Sequence, residues 1–169
     1  MDYNAYIREV PDFPKPGILF KDLTTLWKDP IAFKSSVDGL FAHCRDKNIN
    51  KVVGPESRGF VFGAPLAYLL GAGFVPARKP GKLPAQTVSR SYALEYGEAS
   101  LEIHRDSISE GDRVLIVDDL LATGGTVSAL IDLVEMLGGK VEECVFMIEL
   151  EGLNGRKNIK YPVFSMIKS

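Results

Sequence analysis

The sequence predicts an α/β fold with an open, mostly parallel central sheet flanked by helices, and three observations carry the prediction. Strand-like and helix-like runs alternate through three successive units. The run Arg113-Val114-Leu115-Ile116-Val117 is apolar after its first residue, the pattern of a strand buried on both faces. That run feeds a glycine-rich turn and then another helical stretch, as right-handed β–α–β crossovers do. At 169 residues, 46% hydrophobic and 25% charged, the chain suits one globular domain that folds without staples.

Taken in order, residues 2–10 read as a short helix stopped by Pro11. The stretch from Val10 to Asp22 holds Pro11, Pro14, Pro16 and Gly17 and reads as a stiffened loop. Phe13, Leu19 and Phe20 lie on it and must pack against something. Asp29-Pro30 opens a helix, with Asp29 as N-cap and Pro30 in the first turn. Phe33, Val37, Leu40, Phe41 and Cys44 then fall on one face. Residues 51–54 read as a strand, about 60–70 as a helix, and 74–77 as a second strand. Residues 82–104 hold two polar, alternating runs about Gly97, which predict a flexible two-stranded flap of the kind that serves as a lid. After the strand at 113–117 come a helix from about 127 to 137, ended by Gly138-Gly139, and a strand at 144–148.

Composition narrows the function. A net charge of −2 argues against nonspecific nucleic-acid binding, which needs a strong excess of Lys and Arg. Two distant cysteines, Cys44 and Cys144, read as free thiols. No apolar run approaches the roughly 20 residues that span a bilayer, and Met1-Asp2-Tyr3-Asn4 does not open a secretory leader. A cytoplasmic protein with no nucleic-acid or membrane partner is expected. Of the two histidines, His43 sits near a helix end, where a dipole contact is the expected role, and His104 is expected at the surface.

The sharpest signal runs from Val114 to Thr126, VLIVDDLLATGGT. A buried strand ends in two carboxylates, Asp118 and Asp119, and a small-residue turn then opens a helix. In open parallel sheets ligands sit beyond the carboxyl ends of strands. Glycine lets the backbone approach a ligand, and a helix N-terminus offers unpaired N–H groups to an anion. Thr123 and Thr126 add hydroxyls, so this half suits a phosphate monoester. The carboxylates would repel phosphate, and their natural partners are hydroxyls or a cation. Together the two halves fit a ribose 5-phosphate. A Gly-Gly-Thr turn alone is ordinary punctuation, and paired aspartates also end strands in nucleoside triphosphatases. The Gly-x-x-x-x-Gly-Lys-[Ser/Thr] loop of those enzymes is missing here, as is Gly-x-Gly-x-x-Gly.

The whole string resembles the phosphoribosyl diphosphate signature of the type I phosphoribosyltransferases, and its Asp-Asp-Leu-Leu-Ala-Thr-Gly-Gly-Thr form is similar to that of the adenine-specific members. The resemblance extends over nearly the whole chain. It includes residues 11–22 as an N-terminal base-binding hood, Glu56-Ser57-Arg58-Gly59-Phe60, residues 78–84 and Tyr92-Ala93-Leu94-Glu95-Tyr96-Gly97. It implies the type I phosphoribosyltransferase fold and transfer of phosphoribosyl from phosphoribosyl diphosphate to adenine, releasing AMP and diphosphate, with Mg2+ held through substrate and water.

By the same resemblance Ala122, Thr123, Gly124, Gly125 and Thr126 hold the 5-phosphate, and Asp118 and Asp119 bind the ribose hydroxyls. Ser57, Arg58, Arg78, Lys79 and Lys82 hold diphosphate, although Arg78 and Lys79 also read as a solvated basic face. The purine lies between Phe20 and Leu120, with main-chain groups of Leu19 and Lys21 reading its edge; on residue type alone Phe20 is ordinary core. Glu95, with Tyr96 beside it on the flap, is the candidate to take a proton from the purine, and Glu95→Ala is expected to lower turnover more than substrate affinity. The family's first turn often holds a cis peptide, which here would be Glu56-Ser57. A homodimer is implied, its face built from residues 57–70 and the Arg78 loop. Two rivals share the fold: a ligand-sensing regulator that has lost catalysis, and an enzyme using xanthine, hypoxanthine or another base.

Overall fold

The computed structural model describes residues 1–93 and 97–169. Residues 2–10, expected as a helix, instead form a 3-10 turn at Tyr3–Tyr6 and then strand β1 (Arg8–Pro11). The cause lies downstream. The proline-rich segment folds back as β2 (Leu19–Asp22), antiparallel to β1, with Val10 opposite Phe20 and Pro11 opposite Leu19. Asp12 Oδ1 accepts from the Gly17 N–H at 2.7 Å inside the connection, and Phe13-Pro14 is cis. The stiffened loop is therefore a hairpin. Its apolar side chains meet one another, Phe13 standing edge-on to Phe20 with ring centres 5.2 Å apart.

A single-turn helix, α1 (Thr24–Trp27), leads to α2 (Pro30–Cys44). Asp29 caps α2 as its sequence position predicts, Oδ1 accepting from the N–H groups of Ile31 at 3.0 Å and Ala32 at 2.8 Å. Val37, Leu40 and Cys44 are buried on the inner face, with Phe33 and Phe41 half-buried against the same cluster.

The rest of the chain builds the α/β body: β3 (Lys51–Pro55), α3 (Arg58–Leu70), β4 (Gly73–Ala77), the flap strands β5 (Thr87–Ala93) and β6 (Glu98–His104), β7 (Arg113–Leu121), α4 (Gly125–Met136), β8 (Lys140–Glu149) and β9 (Val163–Lys168). Five of these strands form one parallel sheet in the order β4-β3-β7-β8-β9. Numbered within the sheet that is 2-1-3-4-5, a doubly wound order whose direction reverses between β3 and β7. Alternation along β7 feeds two cores. Val114 and Ile116 pack on the α4 side, and Leu115 and Val117 pack with α2 and α3. Each such residue, once fully buried, contributes about 1.5–3 kcal/mol of transfer free energy, so β7 anchors both layers.

The flap prediction holds for the described residues: β5 and β6 pair antiparallel from Thr87↔His104 to Ala93↔Glu98. Its lower half is not polar throughout, because Val88, Leu101 and Ile103 are buried in the α4-side core. The expected sites Glu95 and Tyr96 lie outside the described residues. Among those residues, no helix is long and apolar enough to cross a membrane. Cys44 and Cys144 are free and buried, and burial pushes both thiols up to about 12. His43 lies in the last turn of α2, as expected, and also has a specific partner. Its Nε2 is 3.0 Å from both oxygens of buried Glu143, and its ring stacks on Phe164 at 3.8 Å. His104 is half-buried rather than superficial, and its Nε2 accepts from the Ala85 N–H at 3.4 Å.

Candidate active site

The strand pairing opens the site. β3 follows β4 to its end at Pro55↔Ala77, but it follows β7 only as far as Val53↔Ile116. β8 stays with β7 to Leu121↔Glu149. Residues 117–121 of β7 therefore lose their β3 neighbour at the switch point, and a crevice forms there. The strand continues four residues beyond the predicted end at Val117, so Asp118 and Asp119 sit within it and their positions are fixed by the ladder to β8.

A cavity of about 270 Å³ fills the crevice, walled by Pro55, Glu56, Arg58, Lys79, Tyr92, Leu101 and the continuous run Asp118 to Val127. The sequence-derived cradle, Ala122 to Thr126, lies entirely on this wall, together with Asp118, Asp119 and Leu120. Gly124 has a φ of +86°, which turns the chain into α4 with the N-terminus of that helix at the cavity. Flap residue Tyr92 closes the opposite side. Its Cδ2 would lie 3.3 Å from a Cβ built on Gly125. Arg90 ties the flap to α4, donating to Asp132 Oδ2 at 2.7 Å.

A second cavity, about 360 Å³ and mostly apolar, lies under the hairpin, lined by Val10, Phe13, Phe20, Asp22, Leu23, Thr24, Trp27 and Arg58. Arg58 belongs to both cavities. Its guanidinium stands 5.2 Å from the centre of the Phe20 ring, and its Nε donates to Asp119 Oδ2 at 2.5 Å. Arg58 Nη2 is buried with no partner among the described residues. Phe20 and Leu120 thus face different cavities, with Arg58 at the junction.

The paired carboxylates are electrostatically costly. Burial and the adjacent Asp119 charge push Asp118 well above the usual carboxylate range. Burial also raises Asp119, against the opposing pull of Arg58. Asp118 Oδ1 accepts from the Asp119 N–H at 2.8 Å, and it would lie 3.1 Å from a Cβ built on Gly59. A Cβ there would also meet Pro55 at 2.5 Å, so only glycine lets the first turn of α3 come this close.

The residues expected to hold diphosphate divide. Lys79 lines the cavity; Ser57, Arg78 and Lys82 do not. Ser57 is exposed and begins α3 after a cis peptide with Glu56. Glu56 is a participant that residue type did not single out. Its carboxylate accepts from the Lys79 N–H at 2.6 Å and pairs with Arg78 at 3.5 Å, and the Lys79 bond holds it below the usual range. Arg78 is half-buried and also bridges to the flap, exchanging main-chain bonds with Glu102 at 2.9 and 2.7 Å. In the hairpin, Leu19 is exposed and Lys21 pairs with Glu9, and neither side chain lines either of these two cavities. Among the described residues β2 is hydrogen-bonded to β1 alone, which leaves its other edge without a described strand.

The arrangement joins an anion cradle, two strand-end carboxylates, a bridging guanidinium and an apolar aromatic cavity. The sequence pattern of the phosphoribosyl transferase domain family matches residues 28–169. An adenine phosphoribosyltransferase of Desulfitobacterium hafniense is 56% identical over 169 residues, covering 99% of this chain and 98% of the relative. The crystal structure of adenine phosphoribosyltransferase from Thermoanaerobacter pseudethanolicus superposes with a TM-score of 0.97 at 55% identity, covering 99% of this chain and 98% of that one. The Saccharomyces cerevisiae enzyme, solved with an imino-altritol bisphosphate and adenine, gives 0.94 at 40% identity over 98% and 96% of the two chains. The chain belongs to the adenine phosphoribosyltransferase family.

Proposed function

We infer that the protein transfers the 5-phosphoribosyl group of phosphoribosyl diphosphate to N9 of adenine, giving AMP and diphosphate. The observation that carries this is the meeting, at one switch point, of the 122–126 cradle, the Asp118-Asp119 pair and an arginine shared with an aromatic cavity. The family membership supports the same reading.

In the reaction the C1–O bond to diphosphate breaks, the C1–N9 bond forms, and the N9 proton leaves. The cradle takes the 5-phosphate on the main-chain N–H groups that begin α4. The carboxylates accept from the ribose hydroxyls, and their charge opposes the positive charge that develops at C1. Arg58 and Lys79 meet the departing diphosphate, with Arg78 and Lys82 beyond them on the same loop. The purine stacks on Phe20 toward Leu120, and the strandless edge of β2 at Leu19 and Lys21 offers main-chain donors and acceptors to its polar edge. Glu95 on the flap takes the proton, with Tyr96 beside it. Flap closure excludes water from the activated sugar.

Magnesium fits the donors present. Among the described residues no three or more His, Cys, Asp or Glu gather as a metal cage, and magnesium needs none, since it keeps waters and takes one or two carboxylates plus substrate phosphates. Asp119 and Glu56 are engaged by Arg58 and Lys79, and Asp118 Oδ1 by the Asp119 N–H, so the ion would be held through substrate phosphates and water. When bound, the ion neutralises the charge of the departing diphosphate. The whole chain acts as one domain, works in the cytoplasm and pairs as a homodimer through α3 and the Arg78 loop; Tyr68, 84% exposed on α3, is the side chain that such a contact would cover.

The test is a product assay with phosphoribosyl diphosphate, magnesium and each of adenine, hypoxanthine, guanine and xanthine. AMP from adenine, with little or no product from the oxopurines, is expected, because a mismatched edge leaves buried polar groups unpaired. Product from an oxopurine alone would overturn the base assignment, and no product from any base would return the sensor reading.

A further inference from the structure

Packed against the 122–126 cradle, and not on the cavity wall, is a segment with no recognisable motif. It consists of two 3-10 turns, Glu151–Leu153 and Gly155–Asn158, joined through Asn154 at a φ of 54°. Gly155 is buried, and its backbone touches the backbone of the cradle. A Cβ on Gly155 would lie 2.1 Å from the Ala122 carbonyl oxygen and 3.0 Å from the Gly124 nitrogen. The contact is reciprocal, since a Cβ on Gly124 would lie 2.7 Å from the Gly155 carbonyl oxygen. Two hydrogen bonds frame it. Asn158 Nδ2 donates to the Thr123 carbonyl at 2.9 Å, and Ser128 Oγ, in the first turn of α4, donates to the Asn158 carbonyl at 3.3 Å.

The segment is itself held rigidly. Arg156 donates from Nε and Nη2 to the two oxygens of buried Glu149, at 3.0 and 2.5 Å, and from Nη1 to the Val163 carbonyl at 2.5 Å. Ser165 Oγ donates to the same Glu149 at 2.8 Å. The turn is therefore fastened to the ends of β8 and β9, two strands of the central sheet.

A peptide unit is planar, and in a trans unit the carbonyl of one residue points opposite to the N–H of the next. The 122–123 and 123–124 peptides are trans. Directing the Ala122 and Thr123 carbonyls back toward Gly155 and Asn158 turns the Thr123 and Gly124 N–H groups the other way, toward the cavity. An anion is held by those N–H groups, and a carbonyl rotated into their place would repel it. Gly124 imposes little conformational preference of its own, so the sequence of the cradle does not by itself fix this orientation.

We propose that Gly155 and Asn158 are positioning residues of the phosphate cradle: Asn158 pins the Thr123–Gly124 peptide with its N–H toward the substrate 5-phosphate, and Gly155 lets the supporting turn approach closely enough to do so. The proposal rests on the phosphoribosyl-transfer reading above. Neither residue lines the cavity, and their effect is on the 5-phosphate alone, not on diphosphate or the base.

The experiment is calorimetric titration of wild type, N158A, N158D and G155A with ribose 5-phosphate and, separately, with magnesium diphosphate, alongside the steady-state KM and kcat for AMP formation. Asp is isosteric with Asn but offers no donor when ionised. N158A and N158D are expected to bind ribose 5-phosphate about three- to tenfold more weakly, the loss of one neutral hydrogen bond. Diphosphate affinity should hold, and KM for phosphoribosyl diphosphate should rise more than kcat falls. G155A should show the same selectivity with a larger loss; because it can also impair folding, the exposed Asn158 variants decide the matter. Unchanged ribose 5-phosphate affinity in both Asn158 variants, or equal losses for ribose 5-phosphate and diphosphate, would overturn the proposal. Wild-type turnover separates the two readings. AMP formation with variants indifferent to phosphate removes the turn's role alone, whereas a variant-sensitive phosphate site without AMP formation keeps that role and removes the reaction.

Discussion

At the residue scale the site is organised by charges placed where the fold alone would not keep them. Asp118 and Asp119 are adjacent in a strand, and Asp119 is only 3% exposed. Residue type and spacing made this pair legible in the sequence, because carboxylates closing a buried apolar strand have few structural uses. The pairing of Asp119 with Arg58, 61 residues earlier, was not legible, since it depends on α3 crossing the switch point beside β7. The raised Asp118 carboxyl yields a signed expectation. A folded-state value above the unfolded one, about 3.9, means that the fold favours the protonated form. The associated stability is complete below the unfolded value and is lost as pH rises toward the folded one. Asp118→Asn escapes that loss. Thermal melts should show the variant and wild type close together near pH 4, with the variant melting progressively higher toward pH 7, while its kcat/KM falls by about a hundredfold. A variant that melts lower than wild type at pH 7 would show that the carboxylate is not under this strain.

At the scale of elements, periodicity and caps served well where an element packs by its own pattern. The helix opened by Asp29-Pro30 occurs as its sequence predicts, the strand at Arg113 runs four residues further, and the described parts of the flap pair as expected. The misread element was the N-terminus. Residues 8–11 are a strand because residues 19–22 return to pair with them, and a local reading sees only the prolines. β9 also carried no usable signal, since Val163–Lys168 mixes polar and apolar residues and is extended by pairing with β8. The Glu149–Arg156 clamp at that end is testable. The Arg156 bond holds Glu149 below the usual range, so its contribution is present above the unfolded value, about 4.3, and is lost as pH falls through the depressed one. Glu149→Ala should cost about 2 kcal/mol at pH 7, less than the 3–5 typical of a fully buried pair because Arg156 is 39% exposed. Chemical denaturation should show the cost shrinking below pH 4; a penalty independent of pH would assign it to lost packing instead.

At the scale of the whole molecule, the order β4-β3-β7-β8-β9 brings much of the described candidate site to one reversal of direction. Cradle, carboxylates and bridging arginine come from the ends of β3 and β7 and the starts of α3 and α4, while the hairpin brings its aromatic cavity to the same arginine. The half of that assembly built by residues 114–126 could be read from one contiguous string. The shared cavity wall, the Glu56–Lys79 contact and the turn behind the cradle could not, since each joins residues distant in sequence. The proposed homodimer is checked by light scattering across a dilution series of wild type and Tyr68→Glu. A dimer that the substitution weakens is expected; a wild-type monomer at every concentration would remove that proposal without touching the site.

The most direct test of the central claim is kcat/KM for AMP formation from adenine and phosphoribosyl diphosphate, measured on wild type and on the double variant D118N/D119N after both are shown to be folded. Robust AMP formation by the wild type and a loss of at least about a hundredfold in the variant is the result expected if the strand-end carboxylates stabilise the developing charge at the sugar. A double variant that forms AMP at the wild-type rate, or a wild type that forms none, would contradict the account.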